Sequence, residues 1–343
     1  MTRRPVVCIG AGRMGRGIAH AMAHGGHDVR LLDAKTRSPE DFARLKADAL
    51  NEVQASLTMV AELGGFDARH IDAILARVSV LPQDAAAAAF TDAEIVFEAV
   101  PETRAAKAEA FAVFDRHAAP DAILASTTST ILATDLAALT AHPERALNAH
   151  WLNPAFLVPL VEISPSDQTD TAATARLEAI LDALGKVPVR CKASPGYIVP
   201  RIQALAMNEA ARLVEEGVAS AEDVDRAVKY GFGLRFGVLG LLEFIDWGGG
   251  DILYHASRYM HEATGEARFA APAIVNDKMA QGDIGLRSGR GFFDYAGRDV
   301  DAYRRERLGA FLAAVRSAGL WTPPATGPAT EENPGQQTRP TGA

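Results

Sequence analysis

Within Asn148-Ala-His-Trp-Leu-Asn-Pro-Ala-Phe-Leu-Val-Pro-Leu-Val-Glu162, the residues His150, Asn153 and Glu162 are set among apolar side chains and two prolines. An imidazole and a carboxylate in such surroundings suit acid–base chemistry, because burial and a carboxylate partner move an imidazole pKa in opposite directions. The same pair also fits a strand-end histidine in a structural hydrogen bond, and the segment alone leaves both readings open. Upstream, the run Ala125-Ser-Thr-Thr-Ser-Thr130 offers Ser129 as a hydroxyl that could join them. Taken singly, each hydroxyl there fits a helix cap better than a catalyst.

A second pattern, Gly10-Ala-Gly12-Arg-Met14-Gly15, follows an apolar run and opens a helix-like segment. Strand, loop and helix in that order make G-x-G-x-x-G a dinucleotide-binding loop. Gly10 permits the tight turn, Gly12 lets the backbone approach a pyrophosphate, and Gly15 lets helix and strand pack closely. The helix N-terminus adds amide donors and positive potential. Asp33 ends the second strand, eighteen positions beyond Gly15. A carboxylate there holds ribose hydroxyls and repels a 2′-phosphate, which favours NAD; Lys35 and Arg37 just beyond keep NADP open.

These groups need elements to position them. Val6–Gly10 reads as a strand, Arg13–His24 as a helix and Val29–Asp33 as a strand. Residues 39–63 carry apolar side chains at helical spacing after a Ser38-Pro39 start signal. Further strand-like runs recur at 78–80, 95–99, 123–125, 147–151, 160–163 and 187–191, several of them separated by helix-like segments. This alternation predicts an α/β fold with a Rossmann-type, doubly wound, mostly parallel sheet. Strand C-termini line the crevice of such a sheet, so Ser129, His150 and Asn153 can converge there. After Lys192-Ala-Ser-Pro-Gly196 the chain turns helix-rich, which predicts a smaller all-α C-terminal domain. The expected division is 1–193, 194–321 and a disordered polar tail over 322–343.

A chain of 343 residues exceeds the usual single core, in keeping with two domains. A net charge of −8 without a basic run argues against a nucleic-acid partner. No apolar stretch is long enough to span a bilayer, and the first apolar run is too short for a signal peptide. The two cysteines, Cys8 and Cys191, show no metal-ligand spacing. They read as thiols of a reducing compartment. The expectation is a cytoplasmic protein without a metal.

Taken together, the motifs resemble the L-3-hydroxyacyl-CoA dehydrogenase family, over about residues 5–295. The resemblance is carried by Gly10–Gly15, Asp33, Phe97-Glu-Ala-Val-Pro-Glu102, Ala125–Thr130, His150-Trp-Leu-Asn-Pro154, Leu160-Val-Glu162, Ser194-Pro-Gly-Tyr-Ile-Val199 and Asn208–Gly217. It implies that His150 is the general base for a 3-hydroxyl and that Glu162 orients it. It implies that Ser129 bonds the reacting oxygen and that Asn153 helps place substrate and nicotinamide. Glu102 and Lys107 match positions near the cofactor, as does Arg287, where the family usually has lysine. Met14 belongs to the cofactor loop, NAD is the implied cofactor, and a homodimer is the implied assembly. Pro200 departs from the family, which has an asparagine there.

The substrate's far end is less defined. Coenzyme A is anionic and needs cations, yet no lysine occurs between Lys46 and Lys107, and Met59, Glu62 and Leu63 occupy positions that are lysines in the CoA-using branch. Arg235 could pair with a carboxylate. A free 3-hydroxy acid is therefore slightly favoured over its CoA thioester. Two rival classes are a serine hydrolase, which lacks a G-x-S-x-G elbow here, and a non-catalytic, crystallin-like NAD-binding protein.

Overall fold

In the computed structural model, which describes residues 3–324, the apolar runs form one eight-stranded sheet ordered β3-β2-β1-β4-β5-β6-β7-β8. The strands are β1 (Val6–Ile9), β2 (Val29–Leu32), β3 (Val78–Leu81), β4 (Ile95–Glu98), β5 (Ile123–Ser126), β6 (Ala146–Trp151), β7 (Leu160–Pro165) and β8 (Val187–Arg190). All neighbours pair in parallel except β6 with β7. Strand order reverses between β1 and β4, which opens a crevice at the strand C-termini.

Seven helices accompany these strands: α1 (Arg13–His24), α2 (Pro39–Glu62), α3 (Ile71–Leu75), α4 (Ala86–Ala89), α5 (Arg104–His117), α6 (Ala133–Ala137) and α7 (Thr171–Ala183). Ser38 caps α2 by accepting from the Asp41 amide, and Pro39 fits the first turn, where no amide donor is needed. The period-2 alternation of the central strands splits the core in two. Val6, Cys8, Ile95 and Phe97 face Ile18, Met22 and Leu57, whereas Val7, Ile9, Val96 and Leu124 face Phe90, Phe111 and Phe114. Both faces are thus buried, as a parallel sheet requires. Truncating Phe114, fully buried, to alanine would cost about 3–5 kcal/mol.

Contacts divide the chain into two units, Met1–Asn208 and Glu209–Ala343. The helix α8 (Val199–Glu215) runs through that division, so the expected boundary at 193/194 lies just before it. Pro200 sits in the first turn of α8.

The second unit continues with α9 (Ala221–Ala227), a π-helical turn (Val228–Gly233), α10 (Leu234–Phe236), α11 (Leu241–Gly248), α12 (Gly250–Thr264), α13 (Ala273–Gln281) and α14 (Val300–Ser317). Its buried cluster of Leu286, Tyr295 and Tyr303 is small. The buried carboxylate of Asp246 organises it, accepting from the amides of Phe292 at 2.9 Å and Phe293 at 2.8 Å and from the Tyr295 hydroxyl at 3.2 Å. The tail expected over 322–343 lies, from residue 325 onward, outside the described residues.

Candidate active site

The glycine loop leaves β1 and enters α1 with each glycine in a distinct role. Gly10 has φ +110, and a Cβ there would stand 2.6 Å from the Ala99 carbonyl oxygen. A Cβ on Gly15 would lie 2.0 Å from the Gly10 carbonyl oxygen. Gly12, the N-cap of α1, faces open space, with no atom within 4 Å of its missing Cβ and no side chain capping the helix. That open, uncapped helix start fits a pyrophosphate, and a side chain at position 12 would occupy the approach. Met14 is partly buried against the core beside this loop. At the far end of the same crevice Asp33 is buried, and its two oxygens accept from the Lys35 amide at 3.1 Å and from Arg37 Nε at 2.6 Å.

On the other side of β1, the ends of β5 and β6 bring Ser129 and His150 together. Because β7 runs antiparallel to β6, His150 and Glu162 stand directly opposite one another in register. Their side chains meet at 2.8 Å, Nδ1 to Oε2, with His150 4% and Glu162 0% exposed. The second Glu162 oxygen accepts from the amides of Ile198 at 2.9 Å and Val199 at 2.8 Å. Those amides are aimed by a turn in which Gly196 has φ +75 and Tyr197 has φ +44. A carboxylate surrounded only by donors acts as an acceptor, so the imidazole proton sits on Nδ1 and the Nε2 lone pair points outward. Nε2 meets the hydroxyl of exposed Ser129 at 3.2 Å.

Tyr197, Glu102, Lys107 and Glu98 surround this pair, and of these Glu102 and Lys107 are the two expected from the sequence as site residues, near the cofactor. The Tyr197 ring stacks on the imidazole with centroids 5.4 Å apart, and its hydroxyl donates to the Ile131 carbonyl at 3.1 Å. Glu102 gathers the Ser129 loop on one oxygen: the amides of Ser129 and Thr130 at 3.1 Å each, the Thr130 hydroxyl at 2.9 Å, and the Thr128 hydroxyl. Burial opposes ionisation of Glu102, but the Thr128 bond and the charge of Lys107 outweigh it and hold its carboxyl down at about 2. Lys107 is fully buried, 2.9 Å from Glu98 and 3.2 Å from Glu102. Glu98 also accepts from Ser126 at 2.5 Å. A glutamate closing an otherwise apolar β4 run was the available signal for this cluster.

The family's NAD-binding-domain model, 3-hydroxyacyl-CoA dehydrogenase, matches residues 5–194, and its C-terminal-domain model matches residues 196–295. A 3-hydroxybutyryl-CoA dehydrogenase of Mycobacterium tuberculosis is 35% identical over 289 residues, covering 84% of this chain and 96% of that protein. The chain belongs to the 3-hydroxyacyl-CoA dehydrogenase family. A crystal structure of a 3-hydroxyacyl-CoA dehydrogenase from Archaeoglobus fulgidus superposes with a TM-score of 0.72 at 33% identity, covering 93% of this chain and all 100% of that one. A 5-formyl-3-hydroxy-2-methylpyridine 4-carboxylate 5-dehydrogenase of Mesorhizobium japonicum is 31% identical over 314 residues, covering 91% of this chain and 97% of that protein.

As a 3-hydroxyacyl-CoA dehydrogenase family member, the protein is an NAD-dependent oxidoreductase acting on CH–OH groups. Asn153 lies exposed just past β6 and lines a cavity of about 320 Å³ with Arg13, Arg16, Glu52, Ser56 and Phe156. Arg235 and Arg287 lie in the second unit with partners of their own. Arg235 donates to the Gly231 carbonyl at 2.7 Å and sits 5.0 Å over the Phe244 ring, while Arg287 pairs with Asp251. Among the described residues, no helix is long and apolar enough to cross a membrane, and no cluster of side chains could hold a metal ion.

Proposed function

We propose that the chain oxidises the 3-hydroxyl of a short-chain L-3-hydroxy acid to the 3-keto product, reversibly, with His150 as the base. The observation that carries this is the held imidazole: Nδ1 on Glu162 at 2.8 Å, and Nε2 on the Ser129 hydroxyl at 3.2 Å. Ser129 would hold the reacting oxygen, and His150 Nε2 would take its proton. Glu162 would then face an imidazolium, whose charge it balances in a buried site. Asn153 would place the substrate from the adjoining cavity. NAD, when bound, supplies the hydride acceptor, held by the loop from Gly10 to Gly15 and by Asp33, with Glu102 beside it. Lys107, being buried, would act through Glu102, and Arg287 is the cofactor candidate from the second unit.

The free-acid preference rests on α2. That helix carries Glu52, Met59 and Glu62 and no lysine beyond Lys46, which offers little to an anionic coenzyme A. Arg13, exposed beside Asn153 with no ion-pair partner among the described residues, is a guanidinium available to a carboxylate, and Arg235, engaged through Nε by the Gly231 carbonyl, is a separate candidate. The Mesorhizobium relative is named for a pyridine carboxylate, in line with this reading. The Mycobacterium relative's name favours a second reading, 3-hydroxybutyryl-CoA. NADH formation from 3-hydroxybutyrate and from 3-hydroxybutyryl-CoA decides between them: a larger kcat/KM for the thioester would overturn the free-acid preference. Turnover of neither, nor of other 3-hydroxy acids, alongside intact NAD binding would leave a non-catalytic binder.

Exposed Ile202, Leu205 and Met207 along α8 support a homodimer, which sedimentation equilibrium would test. Free Cys8 and Cys191 accord with a cytoplasmic setting.

A further inference from the structure

We propose that the adenosine end of the dinucleotide site also accepts a 2′-phosphate, so that the protein binds NADP+ as well as NAD+. This goes beyond the hydroxy-acid reading and rests on the glycine loop as the dinucleotide site.

A carboxylate at the end of β2 ordinarily bars a 2′-phosphate for two reasons: it repels the charge, and it loses the ribose hydroxyl that would have donated to it. Neither reason applies with full force to Asp33. Its charge is paired with Arg37, Nε to Oδ2 at 2.6 Å, and its other oxygen accepts from the Lys35 amide at 3.1 Å. Asp33 therefore has donors of its own and does not depend on a 2′-hydroxyl, the condition under which discrimination weakens.

The surroundings are cationic. Asp33, Lys35, Arg37, Asp84 and Arg116 all line one cavity of about 490 Å³, which makes three cations against two carboxylates. Lys35 and Arg116 form no ion pair with any described residue, and only Nε of Arg37 is engaged by Asp33, which leaves its terminal nitrogens available. The loop carrying Lys35 and Arg37 is also fixed in place. Gln83 donates to the Ala34 carbonyl at 3.2 Å and accepts from the Thr36 hydroxyl at 2.6 Å. The Arg37 guanidinium, held by Asp33, presents charge-assisted donors to a phosphate with little further ordering, and exposed Lys35 and Arg116 add cations beside it.

Calorimetric titration of the full chain tests this with 2′,5′-ADP and 5′-AMP as probes of the adenosine end, and with NADP+ and NAD+ as whole cofactors. The expected result is tighter binding of 2′,5′-ADP than of 5′-AMP, by about tenfold, and measurable NADP+ binding. Lys35→Met, Arg116→Met and Arg37→Met should each reduce the 2′,5′-ADP to 5′-AMP preference. The first two leave Asp33 paired, so they keep the test valid if Arg37→Met misfolds. Equal or weaker binding of 2′,5′-ADP, or a preference unmoved by all three variants, overturns the inference. If NAD+ binding is intact in that case, the dinucleotide site itself stands; loss of both cofactors would count against the site as a whole.

Discussion

Each ring nitrogen of His150 has a single defined partner, and that fixes what substitution should do. In His150→Gln the fold loses little, because the side chain stays polar and near in size, but no group remains to take the proton. The turnover rate should fall by about 10³-fold or more while NAD+ affinity is kept. Substantial residual NADH formation would remove His150 as the base. Glu162→Gln is the subtler change. The glutamine carbonyl must face the amides of Ile198 and Val199, so its amino group would point at Nδ1 and donate to it. That reverses the tautomer, puts a proton on Nε2 and blocks the base, with an expected loss of about 10⁴-fold in kcat. His150, Glu162, Ser129 and the glycine loop could be found in the sequence because each is a distinctive residue at a strand end. The burial of Lys107 against Glu98, and the stacking of Tyr197, could not. A Lys–Glu pair reads as solvated surface until the fold buries it, and the Tyr197 ring reaches His150 only through a left-handed turn.

Among the elements, the reversed strand β7 is what a pattern of apolar runs does not reveal. Strand, helix and strand again predict parallel pairing, and between β6 and β7 there is only a short connection broken by Pro154 and Pro159. Too short for a crossover helix, it forces the antiparallel return that sets Glu162 against His150. The packing of α1 on α2 gives a separate prediction. His20 on α1 is buried, 2.7 Å from the Ser56 hydroxyl on α2, and stacked 4.5 Å over Phe156. Burial first, then the charges of His24 and Lys186, lower its pKa from 6.5 to about 4. The folded state then binds that proton less readily than the unfolded chain does. Its stability is fully present above pH 6.5 and declines as the pH falls toward about 4. Urea midpoints measured from pH 7 to pH 4.5 should drop less steeply in His20→Asn than in the parent. Parallel profiles would assign the acid sensitivity elsewhere.

For the molecule as a whole, the two-unit division shifts the weight of stability toward the sheet, because among the described residues the second unit's buried cluster is much smaller than the two that flank the sheet. A ligand bound to the folded sheet should therefore be felt thermally. At a concentration of about 100 times its Kd, NAD+ adds about 2.7 kcal/mol to the folded state. A rise of at least about 5 °C in the midpoint should follow. Differential scanning fluorimetry reads this directly, and an unmoved midpoint would count against binding in that cleft. The succession of the eight strands was readable because each run is short and punctuated, whereas the second unit was read only as helix-rich. The division after Asn208 was not readable, since α8 is one uninterrupted helix and its sequence carries no break there.

The turn before α8 has a genetic consequence. Glu162 is gripped by main-chain N–H groups at positions 198 and 199, so the grip is encoded by no particular side chain. Alanine scanning would pass over both codons as silent, although they help aim the His150 ring through Glu162. Only proline, which carries no N–H, would expose them. The chain already places a proline at the next position, 200, one codon beyond the last at which it would release this carboxylate.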